Sequence, residues 1–164
     1  MASIAPAPHT RREGQATDDW ITPKWLIARL GLFDLDPCAS KSQPWPCAHH
    51  QLTVGGLVQN WPTNWMVWLN PPYGKATGDW LERLARHGNG VALIFARTET
   101  AMFFDHVWPK ASALLFVKGR LTFCFPDGTE APHNSGGPSV LIGYGAHAYG
   151  RLRSCRDLGA FVSL

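Results

Sequence analysis

The stretch Val67-Trp68-Leu69-Asn70-Pro71-Pro72-Tyr73-Gly74 constrains this chain more than any other. It opens as a short apolar run, which reads as a buried strand. It then meets two prolines. Proline has no N–H to give a sheet ladder, so the strand must stop there. A residue that precedes proline is kept out of the helical region, so Asn70 and Pro71 are held extended. The product is a stiff ledge at the carboxyl end of a strand, the place where open α/β sheets bind ligands. The ledge carries a side-chain amide, main-chain carbonyls and an aromatic ring. An ordinary Pro-Pro turn after a strand would look the same, so the neighbouring sequence has to decide.

These groups suit one chemical task. The exocyclic amine of a nucleobase is a poor nucleophile, because its lone pair is delocalised into the ring. Two acceptors gripping its two N–H bonds would draw the nitrogen toward a tetrahedral, reactive form. Asn70 Oδ1 and the Pro71 carbonyl can supply those acceptors, and Tyr73 can stack on the base.

A chain of 164 residues is one domain by the usual relation of length to domain count, with enough residues for a core. Its 45% hydrophobic share is that of a globular protein. The formal charge of +3 permits a nucleic-acid partner without requiring one. The four cysteines form no C-x-x-C pair, and Cys38, Cys47, His49 and His50 fit no standard zinc spacing, so no metal is expected. No apolar run approaches membrane-spanning length and no signal peptide is evident. The expectation is a soluble cytoplasmic protein with reduced thiols.

Residues 1–17 lack periodicity and read as a flexible arm, leaving 18–164 as a single domain. Thr22-Pro23 reads as a helix start, with Thr22 as cap and Pro23 in the first turn. The helix presents Trp25, Leu26, Arg29 and Leu30 and stops at Gly31. Leu32 to Leu35 reads as a strand halted by Asp36-Pro37, and Gln51 to Val54 as another. Residues 78–87 read as a helix with Trp80, Leu81, Leu84 and Ala85 on one face. Val91 to Ala96 is a buried strand, and Ala101 to Trp108 a helix capped by Thr98 or Thr100. Ala113 to Val117 and Leu121 to Phe125 read as two strands joined by a tight turn at Lys118-Gly119-Arg120. Ser139 to Tyr144 is the last strand, followed by a basic tail with Arg151, Arg153 and Arg156. The order predicts an α/β fold with a mixed sheet and an antiparallel hairpin at one edge.

From about Asp19 to Gly145 the chain resembles the phage-type N6-adenine DNA methyltransferases. The resemblance rests on Asp19-Trp20-Ile21-Thr22-Pro23, Leu35-Asp36-Pro37-Cys38-Ala39, Leu69-Asn70-Pro71-Pro72-Tyr73, Leu93-Ile94-Phe95-Ala96-Arg97 with Thr98 and Thr100, and Gly119-Arg120-Leu121 with Phe123. Only the Asn-Pro-Pro-Tyr piece is specific by itself; the joint order and spacing carry the rest. The resemblance implies a Rossmann-like class I methyltransferase fold with S-adenosylmethionine as cofactor and DNA as partner. The target adenine would be flipped out of its stack. Asn70, Pro71, Pro72 and Tyr73 would be the catalytic motif. Trp20, Thr22, Pro23, Asp36, Pro37, Cys38 and Ala39 would hold the cofactor. Lys75, Arg97, Lys118 and Arg120, at predicted strand ends, are candidate DNA contacts. Asn-Pro-Pro-Tyr also serves methylation of cytosine N4, of RNA bases and of protein glutamines, and a catalytically inactive nucleic-acid-binding module is a further alternative.

The chain departs from the family pattern twice. About thirty residues separate Asp36 from the catalytic strand, too few for two full βα units, so the adenosine-binding side is expected to be abbreviated. Where the family commonly has an acidic residue before Gly-Leu, this chain has Gly55-Gly56-Leu57. The resemblance therefore supplies no group to read the cofactor's adenine amine. No separate target-recognition domain is seen, so short sequence specificity, a homodimer or a specificity partner is expected.

Overall fold

The computed structural model describes residues 19–164; the arm read over residues 1–17 lies outside them. Seven strands form one mixed sheet. They are β1 (Phe33–Asp36), β2 (Ala48–Gln51), β3 (Val67–Leu69), β4 (Gly90–Phe95), β5 (Ala113–Val117), β6 (Ser139–Tyr144) and β7 (Gly159–Ser163). Their spatial order is β2-β1-β3-β4-β6-β5-β7. The four strands β2, β1, β3 and β4 are mutually parallel. β6 is antiparallel to both β4 and β5, and β7 is antiparallel to β5.

Helices cover both faces. α1 (Lys24–Leu30) and α4 (Ala146–Ser154) bury Leu26, Ile27, Leu30, Ala148 and Leu152 against Val91, Leu93, Leu115 and Leu141. α2 (Thr77–His87) and α3 (Ala101–His106) bury Trp80, Leu81, Leu84 and Phe103 against Ala92, Ile94, Leu114 and Ile142. Successive residues of β4 thus feed opposite layers, which is why that strand is apolar almost throughout. α2 ends at Gly88, whose φ of 74° is the left-handed conformation that glycine adopts without a Cβ penalty. α3 starts at Thr100, whose hydroxyl accepts from the Phe103 N–H. No helix among the described residues is long and apolar enough to cross a membrane.

Five features differ from the sequence reading. Thr22 does not cap α1: the cap position is Pro23, without a side-chain cap bond, and the Thr22 hydroxyl is engaged elsewhere. The buried face of α1 is Leu26–Ile27–Leu30, and Trp25 is exposed. The second strand lies at Ala48–Gln51, ending where Gln51 to Val54 was expected to begin. Leu121 to Phe125 does not return as a strand beside β5; its ladder contacts are isolated bridges from Cys124 to Ile21 and to Glu130. β5 pairs instead with β6 and β7, so no hairpin forms at Lys118–Arg120. The stretch read as a basic tail holds α4 and β7. Arg151 pins it down by donating to the Gly31 and Leu32 carbonyls while its guanidinium lies over the Phe33 ring.

The connections β1–β2 and β2–β3 contain no helix. Parallel neighbours are usually joined through a helix. This side of the sheet is correspondingly thin, with β2 at its edge exposing His49, His50 and Gln51.

Candidate active site

From β1 the chain steps outward to β2, then crosses back over β1 to become β3. The strand order reverses between β1 and β3, and a crevice opens at their carboxyl ends. A cavity of about 230 Å³ lies there. Trp20, Thr22, Asp36, Pro37, Cys38 and Ala39 line it, and so do Asn70, Pro71, Pro72 and Tyr73. Pro23, expected with them, lines a separate groove with Trp25 and Trp45. Lys75, Arg97, Lys118 and Arg120 are all exposed and do not line the cavity. They follow β3, β4 and β5, whose carboxyl ends share one edge of the sheet. None of the four is in an ion pair among the described residues.

Two carbonyls of the ledge, those of Asn70 and Pro72, are clamped. Cys38 Sγ donates to the Asn70 carbonyl at 3.2 Å, tying the end of β1 to the end of β3. Thr77 Oγ1 donates to the Pro72 carbonyl at 2.8 Å and accepts from the Gly74 N–H at 3.0 Å. The Pro71 carbonyl between them has no hydrogen-bond donor among the described residues. The Asn70 side chain is equally one-sided. Its Nδ2 donates to the Trp20 carbonyl at 3.0 Å and to Thr22 Oγ1 at 3.3 Å, while Oδ1 has no partner among the described residues. Two adjacent acceptors, Asn70 Oδ1 and the Pro71 carbonyl, are thus left for a donor that enters the cavity.

Tyr73 is 43% exposed, and its ring stacks on Phe95 with centroids 4.7 Å apart and planes 21° apart. Phe95 is the last residue of β4 and lies against the backbone of Gly137, where a Cβ would fall 3.1 Å from the Phe95 ring. One face of Tyr73 is therefore covered and the other is open.

Asp36 is the buried carboxyl of the site, 3% exposed and without a basic partner among the described residues. Burial pushes its pKa up to about 7; the Cys38 N–H, 3.2 Å from Oδ1, and the Gln43 side chain offset part of that. Burial likewise raises Cys38 and Cys47, and Asp36 adds to both shifts, so both remain thiols. Gly56 closes the far wall. A Cβ there would fall 1.8 Å from the Pro37 carbonyl and 3.0 Å from the Trp80 ring, so only glycine fits.

Sequence reading missed Thr77, Gln43 and Phe95 as parts of this site. Phe95 carried the signal of any strand-end aromatic. Thr77 read as one more residue near a helix start. Gln43 sits in an irregular loop that has no periodicity to mark it.

Fold and site together define a mixed α/β protein with a polar cleft at its switch point. The family model described as DNA N-6-adenine-methyltransferase (Dam) matches residues 9–146, and the chain belongs to that family. A DNA N-6-adenine-methyltransferase of Escherichia phage T1 is 27% identical over 112 residues, which is 64% of this chain and 47% of the relative. The chain thus spans about half the length of that curated relative. No solved structure matches.

Proposed function

We propose that residues 18–164 form a single catalytic domain of Rossmann-like class I methyltransferase type that methylates the exocyclic N6 of adenine in DNA. S-adenosylmethionine is the proposed cofactor. The observation that carries this reading is the pair of unengaged acceptors, Asn70 Oδ1 and the Pro71 carbonyl, beside the open face of Tyr73. Family membership and the phage T1 relative support adenine as the base.

The cavity suits a cationic cofactor. Asp36 is a buried carboxyl with no ion-pair partner among the described residues, and a nearby cation would favour its ionised form. Asp36, with the backbone of Pro37 to Ala39, would hold such a molecule, and Gly56 lets its own segment pack directly against the Pro37 carbonyl at the cavity wall. When bound, the cofactor supplies an electrophilic methyl group. With Gly55 in place of an acid, no side chain at that position reads its adenine amine.

Everything else falls to the chain. The target adenine leaves its stack at a cost of a few kcal/mol. Stacking on Tyr73 returns roughly 1–3 kcal/mol of that. Asn70 Oδ1 and the Pro71 carbonyl take the two N6 hydrogens and aim the nitrogen lone pair into the cavity. Both acceptors gain strength as positive charge grows on nitrogen, so catalysis is mainly positioning and preorganised electrostatics. The methylated ammonium is a strong acid and loses its proton to water. Lys75, Arg97, Lys118 and Arg120 are proposed to meet DNA phosphates along the active edge.

The test is transfer of labelled methyl from S-adenosylmethionine to unmethylated DNA, followed by nucleoside analysis, with Asn70→Ala alongside. N6-methyladenine from the wild type only is the expected result. Label on cytosine, on RNA or on protein would move the substrate. No label together with no cofactor binding would leave an inactive module.

A further inference from the structure

Among the described residues, the Asn70 carboxamide is held at its nitrogen end alone. Nδ2 carries two hydrogens, and the Trp20 carbonyl and Thr22 Oγ1 take one each. A backbone carbonyl cannot donate, so the group facing Trp20 must be the amide nitrogen. The oxygen is thereby turned the other way. Thr22 itself is 2% exposed and sits on a segment that is tied down on both sides. Ile21 exchanges both backbone hydrogen bonds with Cys124, at 2.9 and 3.0 Å. The Trp45 indole N–H donates to the Thr22 carbonyl at 3.0 Å. Trp20 packs its ring on Phe125.

We propose that Thr22 is a positioning residue for Asn70 and not a ligand of the cofactor. Its hydroxyl takes the second Nδ2 hydrogen and stops rotation of the carboxamide. Oδ1 is then fixed as the acceptor for the incoming amine. With only the Trp20 carbonyl left, the amide can swing about that single bond, and the reacting nitrogen loses its alignment. The inference rests on the reading of Asn70 as the acceptor for the target amine.

The distinguishing experiment compares Thr22→Val and Thr22→Ser with the wild type. Four quantities are measured: kcat, KM for DNA, the Kd for S-adenosylmethionine by calorimetry, and the ¹⁵N side-chain amide signals of Asn70, assigned by their loss in Asn70→Ala. Thr22→Val should lower kcat on the order of ten- to a hundredfold, the penalty of a misaligned reacting group. The cofactor Kd should be unchanged, and one of the two Asn70 amide protons should shift. Thr22→Ser should restore most of kcat and the wild-type signal. If Thr22→Val does not fold, Thr22→Ala replaces it, with the same expectations.

An unchanged kcat overturns the proposal. So does a loss that appears as weaker cofactor binding with unshifted Asn70 signals. If the wild type transfers no methyl to any acceptor, the functional reading fails separately. The Asn70 signals then decide alone whether Thr22 holds the amide: a shift upholds the hold, and its absence overturns it.

Discussion

The two halves of the sheet are built on different rules. In the parallel half, β2, β1, β3 and β4 all deliver their carboxyl ends to one edge. Asp36, Asn70, Phe95 and Arg97 therefore accumulate there. In the antiparallel half, β6 and β7 bring their amino ends to that edge, as Ser139 and Gly159, and only β5 brings a carboxyl end. That half is a wall. Val140, Leu141, Ile142, Leu114 and Leu115 are fully buried and offer no polar group to the cleft. The contrast teaches that strand direction decides where chemistry can collect, while strand composition decides what supports it.

The sharpest way to break the contrast is to change one residue in each half. Asn70→Ala in the parallel half should cost on the order of 10²–10³-fold in kcat, as loss of a preorganised polar group at a reacting centre does. Cofactor binding should survive, which calorimetry would check. An equal loss of both would make Asn70 a structural residue. Leu141→Ala in the antiparallel half should do the opposite. Deleting a fully buried leucine costs about 2–5 kcal/mol of stability, read from urea midpoints, while activity per folded molecule stays at the wild-type level.

Acidity separates the halves next. The folded Asp36 keeps its proton up to about pH 7, whereas in the unfolded chain it is lost near the ordinary carboxylate pKa of 3.8. Between those values the folded state binds more protons, so stability falls as pH rises through that window. The loss should amount to a few kcal/mol, and Asp36→Asn should abolish it. Urea midpoints of wild type and variant at about pH 5 and pH 8 would show it. For a cationic cofactor the sign reverses: binding favours the carboxylate, so affinity should rise over the same window. Leu141→Ala keeps Asp36 and should show the same fall with pH as the wild type, so its destabilisation relative to wild type should not change between the two pH values.

The smallest effect concerns the contact between strand end and ledge. Phe95→Leu removes an aromatic stack worth about 0.5–1.5 kcal/mol beyond its burial. It should weaken DNA binding modestly, seen as a raised KM for DNA with kcat little changed. A large fall in kcat instead would mean that Phe95 fixes the Tyr73 ring for the reaction itself.

How much of this was legible in the sequence also divides along the sheet. β1 and β3 announce themselves because an apolar run is cut off by Pro37 or by Pro71-Pro72. Those stops line the cleft, so finding the strand finds the cavity residues. The antiparallel half has no such coupling. Leu121-Thr122-Phe123-Cys124-Phe125 alternates like a strand because Leu121 and Phe123 are buried, yet it packs as an irregular segment that touches Ile21 at one bridge. α4 buries only Ala148 and Leu152 among histidine, glycine and arginines, too narrow a face to read as a helix. β7 follows as Gly159–Ser163, half exposed along a sheet edge, where burial leaves little pattern. The orientation of Asn70 was illegible for another reason. Its partners Trp20 and Thr22 lie about fifty residues away, and no local rule connects them.

The place of β5 between β6 and β7 also has a consequence for biosynthesis. Both of its neighbours come later in the chain, β6 at Ser139 and β7 at Gly159. As the nascent chain emerges, Ala-Leu-Leu-Phe-Val at 113–117 has no partner to join. At ordinary elongation rates the wait lasts on the order of seconds. During it, an apolar strand with two open edges is available to other chains. Until Ser139 to Tyr144 has emerged, β5 is therefore an unpaired apolar segment of the nascent chain. A chaperone that covers it in the meantime would limit its contact with other chains.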